Sequence, residues 1–261
     1  MWDESEINRH ISSLTLHPSS FKTMRRFYAS IEQFNPPKVS LNHDETRHLR
    51  DVLRLKETER VQVFDGAGRE FLCEIQSIGK KETLLEIVEE IAPPAPESSL
   101  NLTLAVALLK GEKFDLVVQK AVELGVTTLV PLNTKRSDFK IKDTEKRIER
   151  WRKIALEACK QSGRANLMRT ENPSDFQRFI EKGDGVKILF AERGGDEFSA
   201  IEKSETMTAI VGAEGGWEDT EIASAREKGF QIVTFGGRIL RAETAAIAIA
   251  SVLQNQFGDL N

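Results

Sequence analysis

The sequence has few of the cysteines and histidines that disulfide-linked and metal-binding proteins need. It contains two cysteines and four histidines in 261 residues. Cys73 and Cys159 are far apart, and each lies within an apolar pattern. We therefore expect two reduced core thiols in a cytoplasmic protein. The histidines form no ligand cluster, so we expect no bound metal.

Long apolar runs and a strong net charge are also missing. No run is long enough to span a bilayer, and the N-terminus lacks the apolar core of a signal peptide. The formal net charge is −4, so any contact with nucleic acid would depend on local patches. Neither G-x-x-x-x-G-K-[ST] nor G-x-G-x-x-G occurs, which disfavours a generic dinucleotide-binding fold. The remaining composition, 39% hydrophobic and 30% charged residues, is typical of a globular protein.

A proline-rich segment marks the clearest linker in the chain. Three prolines occur in five residues at 92–96, which favours an extended connector. We place a domain boundary there, between a β-rich domain at 24–95 and an α/β domain at 96–261. Residues 1–23 show weak periodicity and are expected to be an N-terminal extension.

The β-rich part has three segments with strand-like alternation and one helix. The strands are Val61–Phe64, Glu70–Ile78 and Thr83–Ile91, and Asp65-Gly66-Ala67-Gly68 is a hairpin signal. The helix is predicted over Asp44–Leu53, with Asp44 as its N-cap.

Arginines follow the spacing of one face of that helix. Arg47, Arg50 and Arg54 lie at i, i+3 and i+7, and Arg25 and Arg26 precede them in the chain. The pattern fits a phosphate-binding stripe, and it equally fits a solvated cationic face.

From residue 100 onward, strands and helices alternate, which predicts a parallel sheet. The predicted elements are a strand at Leu102–Leu109, a helix at Phe114–Leu124, a strand at Thr127–Pro131, a helix at Thr144–Ser162, a short helix opening at Pro173-Ser174, a strand at Lys187–Glu192 and helices at Trp217–Lys228 and Ala242–Phe257. The last helix is apolar almost all round, so we expect it to be buried.

Two glycine-rich turns precede the last two helices. They are Gly212–Gly216 (GAEGG) and Gly236-Gly237-Arg238, and each follows a short apolar run. The carboxyl edge of a parallel sheet is where open α/β folds bind ligands. Glu214 would repel phosphate, so the first turn suits a neutral or cationic ligand better than a polyphosphate.

Four polar side chains follow the second turn, and their role is open at this point. They are Arg238, Arg241, Glu243 and Thr244. They could line a pocket. Alternatively, Glu243 and Thr244 only cap the last helix, and the two arginines are solvated.

The pair GAEGG and FGGRILRAETA closely resembles the family of 16S ribosomal RNA uridine-N3 methyltransferases, which belongs to the SPOUT class of knotted, S-adenosylmethionine-dependent enzymes. The segments HLRDVLRLK, LKGEKFDLVVQKAVELGV, TKRSD and EACKQSGR extend the resemblance. It implies a PUA-like RNA-binding β-barrel followed by a SPOUT α/β methyltransferase domain with a C-terminal trefoil knot. It also implies a homodimer that acts on the small ribosomal subunit.

This chain departs from the family pattern at two turns. Ala213 stands where the first turn usually has proline, and the second turn has Phe235-Gly236-Gly237 in place of Leu-Gly followed by another residue. Neither change removes a polar group, so we keep the implied cofactor site.

By the same resemblance, main chain from three loops grips S-adenosylmethionine. The implied contacts are Leu189, Phe190, Ala191, Gly212, Glu214, Gly215, Gly216, Phe235, Gly236, Ile239, Leu240, Thr244 and Ala245. The resemblance also favours Arg25, Arg26, Arg50 and Arg54 as RNA contacts.

Methylation of uracil N3 needs a base or a cation, because N3 is a poor nucleophile until its proton leaves. Arg241 and Arg136 are the candidate cations, and Glu243 is the candidate base or the group that orients an arginine. Two other functions stay open. One is a SPOUT ribose 2′-O-methyltransferase acting on rRNA or tRNA, and the other is an RNA-binding module without catalysis.

Overall fold

The structure, a computed structural model, describes residues 25–137 and 143–260. The predicted extension at 1–23 lies outside the described residues, as does Asp138. Two sheets account for most of the fold, one built from each half of the chain.

The first sheet has six strands in the order β1-β4-β5-β6-β3-β2. These strands are β1 (Arg26–Tyr28), β2 (Phe34–Asn35), β3 (Lys38–Leu41), β4 (Arg60–Phe64), β5 (Glu70–Ile78) and β6 (Thr83–Ile91). The β1–β4 pair is parallel and the other pairs are antiparallel. The predicted hairpin is present between β4 and β5. At its turn, the Asp65 side chain accepts hydrogen bonds from the backbone N–H groups of Ala67 and Arg69.

The helix of this half differs from its prediction. Helix α1 (His43–Arg47) starts one residue earlier, with Asn42 as the N-cap in place of Asp44. The Asn42 side chain accepts a hydrogen bond from the Glu45 N–H at 3.0 Å. A π-helical turn follows over His48–Val52. The wider turn changes the angular spacing, and Arg54 lies beyond it at φ 54°, so the three arginines do not form one regular helical stripe.

The second sheet has seven strands, all paired in parallel. Its elements are β7 (Asn101–Ala107), α2 (Lys113–Glu123), β8 (Thr128–Asn133), α3 (Thr144–Ser162), β9 (Arg169–Thr170), β10 (Ser174–Asp175), α4 (Phe176–Ile180), β11 (Val186–Ala191), β12 (Thr206–Val211), α5 (Asp219–Glu227), β13 (Gln231–Thr234) and α6 (Ala242–Phe257). The strand order is β10-β8-β7-β12-β11-β13, and β9 pairs with β8. The alternation of strands and helices therefore predicted this parallel α/β sheet correctly.

Two helices of this half begin later than predicted. Helix α4 starts at Phe176, because residues 174–175 pair with β8 first and Asp175 caps the helix through the Gln177 N–H. Helix α5 starts at Asp219, and Trp217 belongs to the buried turn before it. Helix α6 has the predicted bounds, and its residues Ala246, Ile249, Ala250 and Leu253 join the main core.

Buried charges join the first sheet to the end of helix α3 and the loop after it. The Arg26 guanidinium contacts both Glu70 carboxylate oxygens at 2.8 Å and donates to the carbonyls of Cys159, Lys160 and Arg164. Its side chain is only 9% exposed, and that of Glu70 is fully buried. The prediction that Arg26 contacts RNA is therefore wrong, since the guanidinium is used inside the protein.

Both cysteines are free and buried, as the apolar patterns around them predicted. Burial raises the pKa of Cys73 to about 12 and the pKa of Cys159 to about 11. Within the described ranges, no helix is long and apolar enough to cross a bilayer. Those same ranges contain no group of three or more side chains placed to hold a metal ion.

Candidate active site

Three strands end together at the carboxyl edge of the second sheet. Strand β11 lies between β12 and β13 and pairs with both in parallel. The two glycine turns, which follow β12 and β13, therefore flank the end of β11. A narrow cavity of about 80 Å³ lies among these three strand ends.

Most of the predicted cofactor contacts line this cavity. Nine of them do so: Phe190, Ala191, Gly212, Glu214, Gly216, Phe235, Ile239, Leu240 and Ala245. They come from all three predicted loops and from the first turns of α6. The loops named by the resemblance thus meet around one space.

Four predicted contacts lie elsewhere. Leu189 is fully buried in the core on the other face of the sheet, because adjacent residues of a strand point to opposite faces. Gly215 lines a neighbouring groove. Gly236 and Thr244 are exposed, and neither residue lines the cavity. The predicted lining of the cavity is therefore incomplete at these four positions, and their main-chain contacts to the cofactor stay predictions.

Seven further residues line the cavity beyond the named contacts, although two of them, Ala213 and Arg238, belong to the predicted loops. The seven are Glu192, Val211, Ala213, Trp217, Arg238, Ala242 and Ile249. Two signals in the sequence could have identified part of this set. Ala242, Ala245 and Ile249 follow the i, i+3, i+7 spacing of one helix face. Trp217 directly follows the first glycine turn.

The first glycine turn is shaped by close packing. Trp217 donates its indole N–H to the Phe190 carbonyl at 2.8 Å. Its ring lies so close to Gly212 that a Cβ on Gly212 would come within 2.9 Å of it. Gly216 has φ 69°, and a Cβ there would come within 2.6 Å of a Glu192 carboxylate oxygen. Glycine is therefore required at both positions.

The second turn is open on its outer side. Phe235 packs against Phe190 and Phe198, with ring centroids 6.3 and 5.8 Å away. Beyond it, Arg238 is exposed, and the Ile239 side chain is 88% exposed. The turn thus has an aromatic base and an exposed tip.

Glu243 lies in the first turn of α6 and is 9% exposed. Its Oε2 atom is buried and has no hydrogen-bond partner among the described residues. The N-cap of α6 is Arg241, which makes no side-chain capping bond. Glu243 and Thr244 therefore do not cap the helix. An unpartnered buried carboxylate oxygen is costly unless something else uses it.

Charged side chains lie on the segments next to the cavity. Arg136 is exposed and donates to the Gly215 carbonyl at 3.0 Å. Glu214 forms an ion pair with Lys113 at the start of α2. Arg241 is exposed beside Glu243 at the start of α6. The three candidate catalytic side chains thus come from the β8 loop and from the N-terminus of α6.

The other predicted RNA contacts lie on the first sheet or beside it. Arg25 and Arg54 are exposed. Arg50 pairs with Asp51 at 2.7 Å and donates to the Gly79 carbonyl at 3.1 Å. Its hydrogen bond to Asp51 raises the pKa of Arg50. These three arginines stay candidates, in contrast to the buried Arg26.

Two protein families match the two halves of the chain. Residues 96–254 match the RNA methyltransferase domain family. Residues 41–88 match the RNA methyltransferase PUA domain family. The first match contains the second sheet and the whole cavity. The second lies within the first sheet and includes α1.

Relatives and solved structures agree with these matches. Ribosomal RNA small subunit methyltransferase E of Synechocystis sp. is 35% identical over 90% of this chain and 78% of the relative. The same-named protein of Aquifex aeolicus is 33% identical over 89% of this chain and its own full length. A structure of ribosomal RNA small subunit methyltransferase E from Neisseria gonorrhoeae, bound to S-adenosylmethionine, has a TM-score of 0.83 and 33% identity, covering 91% of this chain and 100% of that chain. The family inferred from the glycine turns is thereby confirmed: the chain belongs to the ribosomal RNA small subunit methyltransferase E family, whose catalytic part is an RNA methyltransferase domain.

Proposed function

We propose that the protein transfers a methyl group from S-adenosylmethionine to N3 of one uridine in the 16S rRNA of the small ribosomal subunit. The observation that carries this proposal is the cavity at the carboxyl ends of β11, β12 and β13, in a chain of this family. The buried acid Glu243 and the exposed Arg241 flank the cavity-lining Ala242 in the chain, and the exposed Arg136 contacts Gly215 of the first glycine turn. An acid that can act as base and cations that stabilise the anion are the groups that suit deprotonation of uracil N3.

The lining fits S-adenosylmethionine. Its floor is apolar, from residues such as Phe190, Val211 and Ile249, which suits an adenosyl group. Glu192 and Glu214 add carboxylates, which suit the cationic sulfur and amine of this cofactor. Gly212 and Gly216 keep the backbone of the first turn accessible. When bound, S-adenosylmethionine supplies a methyl group activated by its positively charged sulfur.

The chain's own groups prepare the acceptor. We assign Glu243 as the base that removes the N3 proton, or as the group that orients Arg241. We assign Arg241 and Arg136 to stabilise the negative charge that spreads over N3, O2 and O4. Holding donor and acceptor in line also lowers the barrier, by about 7 to 11 kcal/mol in the best intramolecular cases.

The proposal includes a SPOUT trefoil knot and a homodimer. The chain passes from β12 through α5 to β13 on the far side of β11. It then returns as α6 to pack on α2, β7 and β12. This crossing back supports a knot, although knots are rare.

Ile247 and Val252 of α6 stay half-exposed and Leu116 of α2 is exposed, which supports a self-association surface.

The first sheet is proposed to act as a PUA-like RNA-binding barrel, with Arg25, Arg50 and Arg54 contacting phosphates. A cytoplasmic location follows from the proposed substrate, the ribosomal subunit. We place the boundary between the two domains in the proline-rich segment at 92–96, close to the start of the methyltransferase match at residue 96.

Primer extension on small-subunit rRNA tests the proposal. RNA from cells with and without the gene is compared, and RNA from the deletion strain is then treated with the protein and S-adenosylmethionine. Because a methyl on N3 blocks base pairing, reverse transcriptase should stop at one uridine. We expect this stop to disappear on deletion and to return after treatment, but not in a control without S-adenosylmethionine.

The other outcomes contradict the proposal in different ways. Methyl incorporation into the RNA without a stop would favour a ribose 2′-O-methyltransferase. No incorporation into free RNA or assembled subunits would favour an RNA-binding module without catalysis.

A further inference from the structure

A second groove lies beside the cofactor cavity and shares Ala213 and Glu214 with it. Its volume is about 380 Å³, within the range of small-ligand sites. Leu108 and Leu109, which follow β7, form its inner side, and their side chains are buried in the main core. A molecule in this groove would therefore contact the same turn, Ala213-Glu214, as a molecule in the cavity.

The groove is cationic. Lys110, Lys135 and Arg136 line it, and Glu214 is the one acidic residue among the described residues that do so. Lys135 also lies 3.3 Å from Glu218, with both side chains exposed. Exposed pairs of this kind stabilise little and exchange readily for another anion.

Glu214 itself is neutralised from the side. Lys113, at the start of α2, pairs with its carboxylate, and the two side chains are 37% and 48% exposed. Without Lys113, the Glu214 charge would face any anion in the groove. The pair therefore makes the shared wall compatible with a polyanionic substrate.

We infer that this groove is the acceptor site for single-stranded RNA. Lys110 and Lys135 bind phosphodiester groups, and Lys113 screens Glu214 from the RNA. The inference rests on the proposed function, because an acceptor base must touch the donor site. It adds Lys110 and Lys135 as RNA-binding residues and Lys113 as a positioning residue, all outside the proposed catalytic set.

Other grooves of the described residues fit this role less well. A larger one, of about 700 Å³, lies between Tyr28 of the first sheet and helix α3. It shares no lining residue with the cofactor cavity. Glu149 and Glu171 also line it beside its cations. A base held there would not reach the donor.

The test is a Lys110→Ala/Lys135→Ala double variant, measured with unmodified 16S rRNA from the deletion strain. We expect the RNA Kd and the KM to rise roughly tenfold or more. The salt dependence of binding should fall by about 0.7 per lost phosphate contact. S-adenosylmethionine affinity and kcat should stay within about twofold of wild type. Lys182→Ala is the matched control, since this exposed lysine lies before the amino end of β11, at the opposite edge of the sheet.

A second pair of variants tests the screening. Lys113→Met should weaken RNA binding by about fivefold, the effect of one unscreened charge near 4 Å in water. Adding Glu214→Gln should restore it. RNA binding is measured without S-adenosylmethionine, because Glu214 also lines the cofactor cavity. A double variant as weak as Lys113→Met would overturn the screening role.

The two proposals fail differently in these measurements. If every variant binds RNA like wild type while the wild-type enzyme still makes N3-methyluridine, the acceptor groove is wrong and the proposed function stands. If wild type makes no N3-methyluridine, the proposed function fails. The RNA Kd and its salt dependence then still decide whether the groove binds RNA.

Discussion

Two buried glutamates, one where the first sheet meets helix α3 and one in the first turn of α6, differ in how their charges are satisfied. Glu70 is fully buried, and both of its oxygens accept hydrogen bonds from Arg26. Glu243 is 9% exposed, and its buried Oε2 has no partner among the described residues. The residue type is the same, but the first charge is used within the fold and the second is not.

This difference separates structural charges from functional ones. A satisfied buried pair fixes geometry, and breaking it leaves an uncompensated charge. An unsatisfied buried acid costs stability, and proteins retain such costs mainly at functional sites. Glu45 lies between these cases. It pairs with Lys160, yet its Oε2 is buried and unpartnered within the described part of the chain.

The largest expected effect is at Glu243. Glu243→Gln should lower kcat by roughly 10²- to 10⁴-fold, because a general base is lost. S-adenosylmethionine affinity should stay intact, and the unfolding free energy should stay equal or rise, because an unpaired buried carboxylate is removed. Methyl transfer to 16S rRNA, calorimetric cofactor binding and urea unfolding measure the three quantities. Unchanged turnover would remove Glu243 from the mechanism.

The opposite result is expected at Glu70. Glu70→Gln should lower the unfolding free energy by roughly 3 kcal/mol, because Arg26 keeps its buried charge without its partner. The kcat per folded molecule should not change. Urea midpoints measure the loss. As a control, the double variant Arg26→Met/Glu70→Leu should recover most of the lost unfolding free energy, since an apolar pair of similar size leaves no charge unpaired. A Glu70→Gln variant with wild-type stability would show that the junction does not depend on this pair.

The smallest effect is a pH dependence at Glu45. Burial, the largest cause, raises the pKa of Glu45, although Lys160 opposes the shift. The folded protein thus holds this proton more tightly than the unfolded chain does. Its stabilising contribution is complete below the unfolded pKa and is lost as pH rises through the folded pKa. The difference in unfolding free energy between wild type and Glu45→Gln should therefore be larger near pH 4 than near pH 7. A difference that grew with pH would show that the Lys160 pair outweighs burial.

Regular elements of the fold could be predicted where one periodicity held over many residues. Strands β5 and β6 and helices α3 and α6 have the predicted bounds. Prediction was poorer where a local side chain set the boundary. Asn42 and Asp175 cap α1 and α4, so those helices begin at positions that periodicity alone did not give.

The candidate site was predictable at the level of loops but not of every residue. Glycine turns identified the loops, because close backbone packing requires glycine whatever lies nearby. Individual contacts depended on which face of a strand or helix turned toward the cavity. Leu189 faces away from it, while Trp217 and Ile249 face it.

The sequence by itself determined the alternation of the main strands and helices in the second sheet, the glycine turns and the family, since these depend on neighbouring residues along the chain. Only the tertiary structure decided which charges are satisfied and which face a ligand. Arg26 lies 44 residues from Glu70 and 133 residues from Cys159, and it bonds to both residues. Arg136 contacts Gly215, which is 79 residues away. Partners so distant in sequence leave no local pattern, so the two kinds of arginine look alike until the chain is folded.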